Sequence, residues 1–278
     1  MSVSVVGLVL FAALLHASWN ALLRSGSDRL WLVTVMSFVT SATALPFAFV
    51  LPLPAAGSWP YLGFSAAVQV LYAIFLVKAY QVADLGSVYP VIRGCVPLLV
   101  SLGAAVFAGQ RLTWAMAAGV GMVSLGIIAT VIGRGNGGTR ALGLAVLTGA
   151  LIATYTVTDG VGVRYAGDSN AYTVWIFLSY GVLMPVAFLL LRGRLELRGR
   201  AAEVRVAGLA GLVQILVYGV VMWAFSLSPM GPVSALRETS VVFATLIGWR
   251  FLGERLTAAR LGACSAIALG AVCLSYYA

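Results

Sequence analysis

The sequence predicts an all-α polytopic membrane protein with ten transmembrane helices in two inverted five-helix repeats. Three observations predict it. Of 278 residues, 62% are hydrophobic and 9% charged, with a mean hydropathy of +1.03. Soluble domains average roughly 45–50% apolar and about 25% charged, so a water-soluble fold of this size could not hide so much apolar surface. Cutting the chain at its charges, prolines and glycine clusters leaves ten apolar runs, each near the ~20 residues a helix needs to cross the hydrocarbon core. Finally, Gly109-Gln110-Arg111-Leu112-Thr113 returns as Gly253-Glu254-Arg255-Leu256-Thr257, an offset of 144.

The first run, 3–23, has no Lys or Arg before it, which argues against a signal peptide and keeps it as a span. It carries His16, Trp19 and Asn20. Runs 30–50 and 59–77 follow. The fourth, 85–108, holds Tyr89 and Arg93, and Pro90 and Pro97 bracket the arginine, which predicts a kink and freed carbonyls. The fifth, 112–132, is studded by Gly119, Gly121 and Gly126. The sixth, 141–163, carries Tyr155 and Asp159; the seventh, 171–191, carries Trp175. Its stretch 182–191 is apolar on every side, whereas a membrane strand alternates. Runs 206–227, with Trp223, and 232–252, with Arg237 and Glu238, come next. The tenth, 260–277, has Gly262 and Gly270, so the fifth and tenth helices should approach closely. Helices 3, 4, 8 and 9 are then left to gate. The loops are too short for a soluble domain.

Loop charges report orientation. The odd-numbered connections and their flanks hold thirteen of the 17 Lys and Arg residues; the even-numbered ones hold Arg111 and Arg164. By the positive-inside rule the odd loops face the cytoplasm and both termini lie outside. The net charge of +9 forms no continuous basic face, which argues against nucleic-acid binding. Cys264 and Cys273, nine positions apart on one run, sit about 13 Å apart along a helix and cannot pair. With Cys95 and one histidine they offer no metal set, and no cofactor is expected.

The 144-residue offset also carries Arg93 onto Arg237 and Gly126 onto Gly270. The chain therefore divides into repeats at 1–133 and 141–278. Five helices is an odd number, so the second repeat enters from the opposite face, the arrangement of many secondary transporters with substrate at the midplane. The paired Arg-Leu-Thr hairpins, each between an apolar helix carrying an Arg and a Gly-studded one, together with His16-Ala17-Ser18-Trp19-Asn20 and Tyr89-Pro90, resemble the duplicated EamA module of the drug/metabolite transporter superfamily. Within it, the size, helix count and aromatic interior are similar to the YddG-type amino-acid exporters. The resemblance implies a multi-pass inner-membrane carrier with cytoplasmic termini, opposite to the charge count.

An ionisable side chain at membrane depth costs about 2.5 to 3.5 kcal/mol on insertion scales and needs a partner, a water-filled cavity or a role. Five qualify: His16, Arg93, Asp159, Arg237 and Glu238. Adjacent Arg237 and Glu238 should point about 100° apart and look to other helices, so Asp159 or Glu238 should pair with Arg93 or Arg237 across the repeats. Such pairs either pin helices, or bind a carboxylate at arginine and an ammonium or proton at the acid. His16 is either an interhelical contact or a proton carrier. Tyr80, Tyr89, Tyr155, Trp175 and Trp223, with Tyr72 and Tyr218, could line a cavity for greasy side chains, while Trp31, Trp59, Trp114 and Trp249 read as interfacial anchors.

These residues point to a secondary transporter exporting small zwitterionic metabolites, above all neutral or aromatic amino acids, with protons as a possible second partner and the lipid bilayer around it, as a monomer or weak homo-oligomer. A carrier of drugs, nucleotides or sugar phosphates is the alternative within the class; a membrane-embedded enzyme is the alternative outside it, disfavoured because no HExxH or GxSxG pattern is present.

Overall fold

The computed structural model of the chain describes residues 1–22, 28–82, 85–130, 138–252 and 257–277, and their side chains except at 19–22, 85–87 and 251–252. Among the described residues the regular structure is helical, without strands. The α-helices are α1 (Val3–Leu22), α2 (Arg29–Ala44), α3 (Trp59–Val82), α4 (Leu85–Phe107), α5 (Trp114–Ala129), α6 (Thr139–Tyr165), α7 (Ser169–Arg192), α8 (Ala201–Leu227), α9 (Met230–Arg237), α10 (Ser240–Leu252) and α11 (Ala258–Tyr277). Seven helical segments are long and apolar enough to cross a bilayer, and Val3–Ser18 and Trp114–Ala129 are shorter apolar helices.

Two runs differ from the sequence reading. The second stops being α-helical at Ala44, where Pro46 opens a 3-10 turn over Leu45–Phe49, because proline withholds a backbone donor. The ninth, expected as one helix over 232–252, is two: α9 ends at Arg237 and α10 begins at Ser240. The Thr239 hydroxyl donates to the Leu236 carbonyl at 2.7 Å and the Thr239 amide turns to the same carbonyl at 3.1 Å. A side chain competing for that carbonyl tightens the turn and interrupts the ladder. By contrast α4 stays helical through Pro90 and Pro97; Pro97 has no N–H to give the carbonyl four residues back, that of Arg93.

The caps are local. Asp28 accepts from the Trp31 amide at the start of α2, Thr113 from Met116 at α5, and Asp168 from Asn170 and Ala171 at α7, each satisfying orphan donors of a first turn.

Loops gather at two ends. At one end, Arg192 Nη1 meets Asp28 Oδ2 at 2.5 Å and the Trp31 indole donates to the Glu196 carbonyl at 2.9 Å. At the other, the Ala55 amide donates to the Ala166 carbonyl at 3.0 Å, the Met230 amide to Gln110 Oε1 at 2.9 Å, and Arg164 to the Phe225 and Ser228 carbonyls at 3.0 and 2.8 Å. Thus the loops after α1 and α7 share one end, and those after α2, α4, α6 and α8 share the other. Trp31, expected as an interfacial anchor, is instead buried, with the Arg200 guanidinium 4.9 Å over its ring.

Much of the helix packing recurs when the halves are exchanged. Replacing α1 by α6, α2 by α7, α3 by α8, α4 by α9–α10 and α5 by α11 turns the α3–α6 contact into α8–α1, α2–α8 into α7–α3, and α4–α6 into α1 against α9 and α10; all six are present. The α4–α9 and α5–α11 contacts map onto themselves. The last rests on small residues, as anticipated: a Cβ on Gly119 would stand 2.7 Å from Leu274 Cγ, and one on Gly270 2.7 Å from the Gly119 carbonyl, so only glycine admits this backbone approach.

Candidate functional site

Where α4 crosses the α9–α10 break, with α1 alongside, four ionisable side chains meet. Arg93 enters from the third turn of α4, and its Nε lies 2.7 Å from Glu238 Oε2, an ion pair whose angle falls outside hydrogen-bond geometry. The other face of the same guanidinium is used as well: Nη2 lies 3.2 Å from His16 Nε2. Arginine has no acceptor, so the imidazole nitrogen accepts there as the neutral tautomer. Tyr89, one turn back on α4, lies under Arg93 at 5.7 Å from its ring centroid.

Arg237 Nη2 stands 3.5 Å from Glu238 Oε1, contrary to the expectation that these neighbours look away from one another. That expectation presumed an unbroken helix; at the break both side chains enter the same interior. Arg93 and Arg237 are each 7% exposed and Glu238 0%. Yet Nε and Nη2 of Arg237 and both oxygens of Glu238 make no hydrogen bond among the described residues. Ser234, four residues before Glu238 and therefore on its face, is also fully buried with an unpartnered hydroxyl. Its sequence context gives no warning, since a serine in an apolar run is usually bonded to its own helix.

Of the two acids that could meet an arginine across the halves, Glu238 does, and Asp159 makes no ion pair among the described residues. It sits in a separate cage where α3, α6, α7 and α8 converge. Tyr172 of α7 donates to Oδ1 at 2.9 Å, Tyr218 of α8 donates to Oδ2, and Gln69 of α3 reaches Oδ2 at 3.5 Å. Ser65, one turn from Gln69, stands beside the same carboxylate, and its hydroxyl accepts from Gln69 Nε2 at 3.1 Å. Gly162 makes room: a Cβ there would stand 2.5 Å from Tyr172 Oη. Gln69, Ser65 and Tyr172 escaped the sequence reading because nothing in an isolated apolar run shows which polar residues of other helices, 13 positions away for Tyr172 and 90 for Gln69, will share its acid.

Tyr155 feels the charges of both sites, those of Arg93, Arg237 and Glu238 and that of Asp159. Its ring packs on Tyr72 at 5.7 Å between centroids, so the two tyrosines form an aromatic ledge between cluster and cage. Other expected cavity aromatics lie elsewhere. Tyr80 is near the end of α3, capped by the Arg29 guanidinium at 4.3 Å from its ring centroid. Trp175 packs edge-on against Trp59 at 5.0 Å. Trp223 is half-buried against the core. The side chains of Trp19 and Asn20 lie outside the described residues.

Two cavities open at the end of the bundle that holds the α6–α7 and α8–α9 loops. One of about 350 Å³ is lined by Val163, Arg164, Asp168, Asn170 and Ser226; the other, of about 530 Å³, by Gln110, Arg111, Arg164 and Ser228. Neither is lined by the Arg93–Glu238 cluster. Arg164 lines both.

Comparison with known proteins places this geometry. Residues 139–276 match the EamA-like transporter family, which supports the drug/metabolite transporter superfamily. Among curated proteins none matches. A solved crystal structure of another protein superposes with a TM-score of 0.79 over 99% of this chain and 99% of its own, at 20% identity; that likeness is one of fold. The apolar helices indicate a multi-pass membrane protein, and its second half, residues 139–276, is similar to a transporter family.

Proposed function

We propose that the protein is a secondary transporter that moves α-amino acids, chiefly neutral and aromatic ones, outward across the inner membrane by alternating access. The observation that carries this reading is a buried pair of opposite charges at the helix break with hydrogen bonds left unmade. Arg237 Nη2 stands 3.5 Å from Glu238 Oε1 and Arg93 Nε 2.7 Å from Oε2, yet Nε and Nη2 of Arg237 and both oxygens of Glu238 make no hydrogen bond among the described residues. An α-amino acid carries its carboxylate and ammonium on one carbon, and so could engage both side chains at once. A carboxylate on the Arg237 fork and an ammonium on Glu238 would satisfy groups that are costly to leave bare in a dry interior. Arg93, Ser234 and neutral His16 back that site, and the Tyr72–Tyr155 ledge supplies apolar surface for a side chain.

The transport cycle follows from the two halves, read as inverted repeats over 1–133 and 141–278. The helix packing that recurs on exchange and the placement of loops at two ends support that reading. Arg93 and Arg237 are counterparts, but the partner of Glu238 under the same offset is Gly94. The site therefore lies at the pseudo-symmetry axis and carries a single acid, so it presents one binding pole to either face as the halves exchange conformations.

Flux of L-phenylalanine and D-phenylalanine into vesicles holding the purified protein tests this reading. Saturable uptake favouring the L form, lost in Arg237→Gln while the protein stays folded, is expected. No protein-dependent flux of any amino acid would overturn it.

A further inference from the structure

Asp159 has no part in the site just described, and its surroundings are of another kind. It is fully buried, it makes no ion pair among the described residues, and Tyr172, Tyr218, Gln69 and Ser65 are its partners. Every one of them is uncharged. Arginine and glutamate neutralise each other at the helix break, whereas a carboxylate held only by neutral donors keeps an uncompensated charge inside the bilayer thickness. Such a charge is expensive unless it is met by a cation. The cage leaves no room for a large one, since the carboxylate is wrapped by side chains from three other helices.

The other groups that could set its charge are accounted for. On α6 itself, Tyr155 lies one turn earlier, and Arg164 is turned away to the Phe225 and Ser228 carbonyls. From α7 and α8 the titratable neighbours are Tyr172 and Tyr218; from α3 they are Tyr72 on the ledge, with Gln69 and Ser65 contributing no charge. The charged groups of α4 and the helix break, Arg93, Arg237 and Glu238, are gathered around Tyr155, and the turn at 56–58 adds none. Access is short. Val163, one turn after Asp159, lines the 350 Å³ cavity at the bundle's end, and Asp159 lies six residues, about 9 Å of helix, from the end of α6 at Tyr165.

We propose that Asp159 is a proton-binding site that couples transport to the proton gradient. When this end of the bundle opens past Val163, a hydronium ion reaches Asp159 and gives its proton to Oδ2, forming an O–H bond and leaving water; the carboxylate becomes a neutral carboxyl. Tyr218, which donated to Oδ2, then accepts from the new O–H. The ionised carboxylate clamps α3 of the first half to α7 and α8 of the second. The neutral carboxyl, with one donor of its own, loses part of that clamp and lets the halves part at this end. Release returns the proton to water on the opposite side, and the clamp re-forms.

Two measurements test it. The first needs no substrate: modification of Asp159 by dicyclohexylcarbodiimide, which reacts with the protonated carboxyl, read by mass spectrometry of the intact protein over roughly pH 5 to 8. Labelling that falls as pH rises is expected; a yield that is zero or constant across the range overturns the proposal. In the second, vesicles containing a trapped pH dye report proton movement when L-phenylalanine is added. Asp159→Asn is expected to lose proton movement and gradient-driven accumulation while still exchanging internal for external L-phenylalanine. Proton movement that survives Asp159→Asn overturns the proposal. Should Asp159→Asn fail to fold, Tyr218→Phe removes one donor and is expected to move the midpoint of the labelling curve upward; an unmoved midpoint has the same overturning force. Phenylalanine flux without proton movement in the unaltered protein defeats the coupling and spares the transport reading, whereas pH-dependent labelling without any amino-acid flux does the reverse.

Discussion

The cluster at the α9–α10 break and the cage around Asp159 solve the same problem, burying an acid among membrane helices, in opposite ways. Glu238 is compensated by charge and starved of hydrogen bonds: two arginines stand within 3.5 Å, yet neither of its oxygens has a hydrogen-bond partner among the described residues. Asp159 is saturated with hydrogen bonds and starved of charge. A charged centre with open valences can take up a zwitterion and give it back. A neutral cage that completes a carboxylate's hydrogen bonds has nothing to offer a solute larger than a proton. The difference teaches that depth and charge alone do not assign a role to an intramembrane acid; the kind of partner does.

The contrast can be broken by substitution. Glu238→Gln has the largest expected effect, because it leaves Arg93 and Arg237 buried and facing each other without an anion. Breaking a buried pair in this way costs about 3–5 kcal/mol, which thermal unfolding in detergent would register as a sharply lowered midpoint. Asp159→Asn should cost less, about 1.5–3 kcal/mol for weakened bonds to a formerly charged acceptor, since the amide oxygen still accepts from a tyrosine. If the two variants lose equal stability in the same assay, the distinction between the sites is wrong. Tyr172→Phe removes one cage bond and no charge, for about 1.5 kcal/mol, the low end for a bond to a charged acceptor; Gly162→Ala should also push the Tyr172 hydroxyl off Oδ1, at a further cost because its Cβ would stand 2.7 Å from Tyr61 Cβ, and its labelling by carbodiimide at fixed pH should rise. The smallest effect is reserved for His16→Gln. Glutamine can still accept from Arg93 Nη2, so the flux–pH curve should keep its shape; a flattened curve would move proton coupling from the cage to the cluster.

Sequence alone reached the class of the fold, the number of apolar runs and the identity of the charged residues in the interior. These follow from hydropathy, from the minimum length of a span and from the cost of charge in lipid, all of which act locally along the chain. The pairing of Gly119 with Gly270 was readable for a related reason: the repeat names equivalent helices, and glycine is what close approach requires. The partnership of Arg93 with an acid of the other half was open between Asp159 and Glu238. Only the fold closed it in favour of Glu238, because the α9–α10 break sits against α4 whereas Asp159 faces α3, α7 and α8. The break itself was hidden, since Thr239 reads as one more residue of an apolar helix until its hydroxyl is seen on the Leu236 carbonyl.

What the sequence determined by itself, then, is that this chain lives in a membrane, repeats with an offset of 144 residues and carries five ionisable groups where lipid would not tolerate them. What only the tertiary structure decided is which of those groups meet: a cluster of four and an acid alone among tyrosines. Composition and periodicity are properties of neighbours along the chain. Partners 77 to 149 positions apart, such as His16 with Arg93 or Gln69 with Tyr218, are selected by helix packing, where one turn of rotation exchanges a charged partner for a neutral one.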